Sequence, residues 1–153
     1  MVTLRTLITA DPIDTAGEIA AIQAGRSDIG AVVSFTGLCR DEDGRLDALE
    51  LEHYPGMAEK EIGRIAAQAA ERWEVSALTV IHRHGRIRPG ETIVVVVAAS
   101  THRHAAFEAA EFVMDFLKTH APFWKKEHAR DGTPTGWVAA KASDDDAKAR
   151  WKD

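Results

Sequence analysis

The period of the apolar positions changes several times along this chain, and each change predicts an element. Ile62, Ile65, Ala66, Ala69 and Trp73 recur at spacings of three, one, three and four, which draws one stripe along a helix over 57–73. Ala105, Ala109, Phe112, Val113 and Phe116 draw a second stripe, on a helix over 102–119. Between the two, residues 77–83 and 91–99 read as strands joined through the Arg88-Pro89-Gly90 turn. The run from Val94 to Val97 is apolar on both faces, so that strand is expected in the middle of a sheet. Upstream, residues 29–39 alternate, with Ile29, Ala31, Val33 and Phe35 on one face. Residues 46–54 read as the strand returning across the Asp41-Glu42-Asp43-Gly44 turn, and the two are expected to pair as a hairpin. Asp11-Pro12 resembles a cap followed by a first-turn proline and Gly25 a stop, which predicts a helix over 12–24. Short strands are expected near 123–128 and 137–141, with a loop at 132–136 between them. Ser143-Asp144-Asp145-Asp146 offers a cap for a short terminal helix.

Helices separated by antiparallel hairpins indicate an α+β fold, not a doubly wound parallel sheet, and residues 1–153 are expected to form one domain. No glycine-rich phosphate loop of the P-loop or dinucleotide type is present. The net charge of -5 argues against nonspecific nucleic-acid binding, while leaving room for a local basic pocket. A single cysteine, Cys39, excludes an intrachain disulfide and a multi-cysteine zinc site, and it fits a reducing, cytosolic setting. The N-terminus shows no signal-peptide pattern, and the longest apolar run is too short to span a bilayer.

The segment from Lys118 to Glu127 carries the chemistry of most interest. Lys118 ends a predicted helix, Lys125 opens a predicted strand, and Pro122 forces the chain to fold back between them. Such a turn can aim both ammonium groups at one pocket, as anion ligands or, with lowered pKa, as base or nucleophile. The alternative is two solvated lysines flanking a core Phe123-Trp124 pair. Arg40 follows a strand, and His102 and Arg103 stand where a helix begins, a place that attracts anions. Together with Lys118, Lys125 and Lys126 they form a cationic pocket for a phosphate or carboxylate if the fold gathers them; otherwise each is an independent surface charge. His82, His84, His102 and His104 invite a metal, but two histidine pairs with neither an HExxH motif nor a second cysteine make a poor site. Cys39 beside Arg40 is either an activated thiol or, as its place in an alternating strand favours, a small packed hydrophobe.

Several ordered motifs carry a resemblance. Phe35-Thr36-Gly37-Leu38-Cys39-Arg40, Leu51-Glu52-His53-Tyr54-Pro55-Gly56-Met57, Ile81-His82-Arg83-His84-Gly85 and the run from Lys118 to Glu127 resemble the large, catalytic subunit of molybdopterin synthase, the MoaE family, over about residues 29–151. Cys39 departs from the aliphatic residue common at that place, which speaks against a nucleophilic role. The resemblance implies an α/β hammerhead fold and a homodimer at the centre of a heterotetramer. Each end of that assembly would bind a small ubiquitin-like (MoaD-like) sulfur carrier with a C-terminal Gly-Gly thiocarboxylate. It implies transfer of two sulfurs to cyclic pyranopterin monophosphate (precursor Z), with no metal or redox cofactor of the enzyme's own. By resemblance, Lys118 lies at the sulfur-transfer centre and Lys125 holds the pterin intermediate, while Arg40, His102 and Arg103 bind phosphate and pterin. Lys126 and Glu127 line the same wall, and Leu38 and Cys39 meet the ligand mainly through backbone. A noncatalytic module that only docks the carrier is the alternative.

Overall fold

A computed structural model describes residues 2–41, 43–119, 123–138 and 142–151. The turn expected at Pro122 lies outside them, as do Glu42 and Lys141. In chain order the elements are β1 (Thr3–Thr9), α1 (Thr15–Gln23), β2 (Ala31–Leu38), β3 (Leu46–His53), α2 (Met57–Arg72) and β4 (Val75–Arg83). They continue with β5 (Gly85–Ile87), β6 (Thr92–Ser100), α3 (Arg103–Leu117), β7 (Phe123–Ala129), β8 (Pro134–Val138) and α4 (Ala142–Ala149). Among the described residues two four-stranded sheets result, ordered β1-β4-β6-β2 and β5-β3-β7-β8. The fold is α+β with mainly antiparallel sheets and flanking helices, as expected.

The first sheet is sandwiched between helices because β6 is apolar on both faces. Val94, Val96 and Ala98 pack with Ile62 and Ile65 of α2 and with Phe112 and Val113 of α3. Val95, Val97 and Ala99 pack the other way, with Ile19 and Ile22 of α1. Phe112 anchors the larger cluster, set edge-on to Trp73 at 5.2 Å and to Trp151 at 5.6 Å. Removing a buried aromatic of this kind costs about 3–5 kcal/mol, so α3 is held along its length and its ends are fixed in space.

The structure departs from the local expectations in four places. The 29–39 and 46–54 strands do not pair with each other. β2 pairs with β6, and β3 pairs with β5 and β7. The register of β2 slips between Gly37 and Leu38, after which Cys39 bonds to the β5–β6 turn and the chain leaves the first sheet. β1 was not foreseen; it is a largely exposed edge strand and lies parallel to β4, the one parallel pair among the described strands. The cap of α1 is Asp14, whose carboxylate accepts from the Gly17 N–H at 3.1 Å, not Asp11. β8 begins at Pro134, inside the stretch expected to be a loop. Gly85, at φ +88°, carries the chain from β4 in one sheet to β5 in the other, a conformation that favours glycine.

Candidate active site

A cleft of about 770 Å³ opens where the second sheet meets the end of α3 and the corner after β2. Each wall brings its residues for a local reason. Lys118 is the C-cap of α3, its N–H bonded to Met114 O at 3.0 Å, and its side chain is exposed. A cation there also suits the negative end of the helix dipole. On β7 the two-residue strand period sends Lys125, Glu127 and Ala129 to the cleft, opposite Leu51, Leu49 and Leu46 of β3. Leu38 ends β2, and Cys39 and Arg40 come from the corner after it. Among the described residues Arg45 and Arg130 add to the basic lining, so five cations face the carboxylates of Asp43, Glu127 and Asp131, and Leu46, Leu49 and Ile93 supply apolar surface. On a chain of net charge -5 this is a local basic concavity, suited to an anion that also carries apolar surface.

The same strand period removes Lys126 from the cleft. Its register partner is Glu50, on the opposite face of the sheet, where His128 lies 2.8 Å from the Glu50 carboxylate. That imidazole, with a lesser contribution from Lys126, holds the Glu50 carboxyl below its usual range. The expectation that Lys126 and Glu127 share a wall is therefore corrected: adjacent strand residues face opposite ways.

His102 and Arg103 are not brought to this cleft either. His102 is the N-cap of α3 and Lys118 its C-cap, so 15 helical residues separate them, or about 22 Å at 1.5 Å per residue. His102, Arg103 and His104 line a second cleft of about 680 Å³ with Gly30, Ala31 and Phe107. Within one chain, the two ends of α3 cannot grip one small anion.

Cys39 behaves as packing. Its side chain is 3% exposed, its Sγ lies 3.7 Å from Ile87 O, and burial pushes its thiol pKa up, away from a thiolate. Its N–H is committed to Glu91 O at 2.8 Å, so what its backbone has left for a ligand is the second lone pair of a carbonyl that already accepts from Gly90. Asp43, Arg45, Arg130, Asp131 and Thr133 line the cleft and were not foreseen. They lie in or beside turns, where periodicity is silent. The one available sign was the acidic turn at 41–44, whose Asp41 pairs with Arg130 at 3.2 Å.

Behind the lysines sits His82. Its ring stacks on Phe123 with centroids 4.0 Å apart, and its Nδ1 lies 2.8 Å from Arg83 O, which accepts the proton of that nitrogen. Burial pushes its pKa down to about 4, reinforced by the charges of Lys125, Lys118 and His53. The pKa of nearby His84 is lowered as well, chiefly by burial and then by His53, whose ring is 4.5 Å away. Among the described residues no group of three or more His, Cys, Asp or Glu is placed to hold a metal. An imidazole that is harder to protonate folded than unfolded costs stability in acid. The unfolded chain takes up protons first, so stability is full above pH 6.5 and falls as the pH drops toward 4. Denaturant titrations at pH 7 and 4.5 should differ by about 2–3 kcal/mol, and His82→Phe should flatten most of that slope. A wild-type profile that is level over this window would show His82 to be already exposed or charged.

Comparison with known proteins identifies the family. The model of the family described as MoaE protein matches residues 8–120. The chain belongs to the MoaE family. Among similar MoaE sequences, the molybdopterin synthase catalytic subunit of Mesorhizobium japonicum is 69% identical over 145 residues, covering 95% of this chain and 91% of that protein. The Escherichia coli protein of the same name is 50% identical over 132 residues, covering 84% and 85%. Among solved MoaE structures, the molybdopterin biosynthesis MoaE protein from Burkholderia ambifaria superposes with a TM-score of 0.81 at 47% identity, over 99% of this chain and 98% of that one. The molybdopterin synthase from Staphylococcus aureus gives a TM-score of 0.77 at 32% identity, over 86% and 95%.

Proposed function

We infer that the chain is the catalytic subunit of a molybdopterin synthase. It transfers two sulfurs from a thiocarboxylated ubiquitin-like carrier to cyclic pyranopterin monophosphate, forming the dithiolene of molybdopterin. The observation that carries this reading is the convergence of Lys118 and Lys125, from different elements, on one cleft beside Arg40, in a chain of the MoaE family. Both reactants are anions, one through its cyclic phosphate and one through its thiocarboxylate tail. Fixed cations bring them together and stabilise the charge that develops as sulfur moves. Lys118 meets the carrier tail as acid/base or charge stabiliser, Lys125 holds the pterin intermediate, Glu127 lines the same wall, and Arg40 binds phosphate. Leu46, Leu49 and Ile93 face the flat ring. Residues 1–153 act as one domain, and a cytoplasmic location fits the lone, buried thiol. Reconstitution with a thiocarboxylated carrier and precursor Z, followed by detection of molybdopterin, tests the reading; carrier binding without product would leave only a docking module.

The separation of the two ends of α3 gives the homodimer a chemical purpose. If His102 and Arg103 bind the same substrate as Lys118, they do so in the cleft of a second copy. Variants Lys118→Ala and Arg103→Ala should then each be inactive as homodimers and regain activity when mixed and re-paired. About half of randomly re-paired dimers are mixed and each holds one intact site, so roughly one quarter of wild-type activity should return. If Arg103 served the cleft of its own chain, no mixed dimer would hold an intact site and nothing would return.

A further inference from the structure

We propose that Arg83 is a positioning residue for substrate binding, holding the turn that in turn holds Arg40. Arg83 is the last residue of β4 and is 6% exposed, an unusual place for a guanidinium. Its Nη2 donates to Ala10 O at 3.2 Å, and its Nη1 lies 3.8 Å from Glu91 Oε1. Its Nε is buried with no acceptor among the described residues. A buried charge with one long ion pair and one idle donor is a poor device for stability, since an apolar side chain of the same length commonly does as well. What it touches explains it better.

Glu91 belongs to the turn between β5 and β6. Its carboxylate also accepts the Arg88 N–H at 2.6 Å, which closes the turn, and Gly90 at φ +89° allows the reversal. This turn takes hold of Cys39 from both sides: the Cys39 N–H donates to Glu91 O at 2.8 Å, and the Gly90 N–H donates to Cys39 O at 2.7 Å. The ladder of β2 with β6 has slipped at Gly37/Leu38 and ends at Leu38 and Thr92, so beyond it these two bonds tie the corner down. The next residue is Arg40, in the cleft. Arg83 does not line the cleft and acts on it only through Glu91, Gly90 and Cys39. The fork of a guanidinium reaches both the end of β1 and the turn, which a single ammonium cannot.

The inference rests on the synthase reading, in which Arg40 binds the phosphate of the pterin. Steady-state kinetics with thiocarboxylated carrier and precursor Z on wild type, Arg83→Met, Glu91→Ala, Arg40→Ala and the two doubles with Arg40→Ala test it. Arg83→Met and Glu91→Ala should each raise KM for precursor Z roughly tenfold, the scale of one displaced charge-assisted hydrogen bond. Their kcat and their affinity for the carrier should stay near wild type. Neither should raise KM further in the Arg40→Ala background, because a positioning effect vanishes with the residue positioned. If Arg83→Met does not fold, Glu91→Ala, at a half-exposed side chain, carries the test alone. An unchanged KM, or increases that multiply fully with that of Arg40→Ala, would reduce Arg83 to a packing residue. A wild-type chain that makes no molybdopterin would instead overturn the functional reading itself.

Discussion

Lys118→Ala should lower the single-turnover rate of molybdopterin formation by roughly 100- to 1000-fold, the loss that follows removal of one fixed group facing developing charge. Protein stability should barely change. The side chain is exposed, and the bond that caps α3 here runs from the backbone N–H of Lys118 to Met114 O, which alanine keeps. What the fold loses is a cation at the end of a helix, about 0.3–1 kcal/mol. Phe112, Val113 and Leu117 hold α3 to the first sheet whatever residue follows them. Lys118→Arg separates two roles. A guanidinium keeps the positive charge and gives up proton transfer at neutral pH, so substantial retained activity would mark Lys118 as a charge stabiliser and a loss equal to that of alanine would mark it as acid/base. A rate for Lys118→Ala within a few-fold of wild type, at unchanged melting temperature, would remove Lys118 from the chemistry altogether.

The parts of this molecule that were legible in the sequence are those whose pattern is local. The stripes of α2 and α3, the two-faced apolar run of β6 and the placement of Lys118 at a helix end all follow from spacing alone. Pairing between strands is not local. The acidic turn between β2 and β3 looks like a hairpin, and only the slip at Gly37/Leu38 and the capture of Cys39 by the β5–β6 turn send the two strands to different sheets. β1 has few buried side chains, so its pattern is faint, and its parallel partner β4 stands some seventy residues away. At the site, Lys125 and Glu127 could have been separated from Lys126 by counting in twos along β7, a signal that was present and unused. The distance between His102 and Lys118 was equally countable along α3. The basic lining from Arg45 and Arg130 was not countable, because turn residues have no period and meet only once β3 and β7 are paired.

Lys125→Ala separates a catalytic lysine from one that only docks the carrier. Lys125 sits within β7 with β3 on one side and β8 on the other, opposite Leu51 and Val138, so its backbone is held by both ladders and alanine leaves them intact. Phe123, two residues earlier on the same face, is braced by the stacked ring of His82 and should keep the start of the strand in place. The lost group is an ammonium in the cleft, close enough to His82 to depress the pKa of that imidazole. On the proposed catalytic role this ammonium works on the pterin. Lys125→Ala should therefore bind the carrier within a few-fold of wild-type affinity by calorimetry, yet transfer sulfur roughly 100-fold more slowly or worse in a single turnover at saturating carrier. Stabilisation lost in the transition state with partner binding retained is the signature of a catalytic group. A docking lysine would give the reverse: carrier affinity would collapse, and the rate at saturating carrier would return to that of wild type. The variant also bears on His82, since removing the cation whose charge depresses that imidazole most should let its pKa rise from about 4 toward its ordinary value. Following the imidazole resonance by NMR as the pH is lowered would register that rise without any substrate present, and a titration unmoved by the substitution would mean that the Lys125 ammonium points away from His82 in solution.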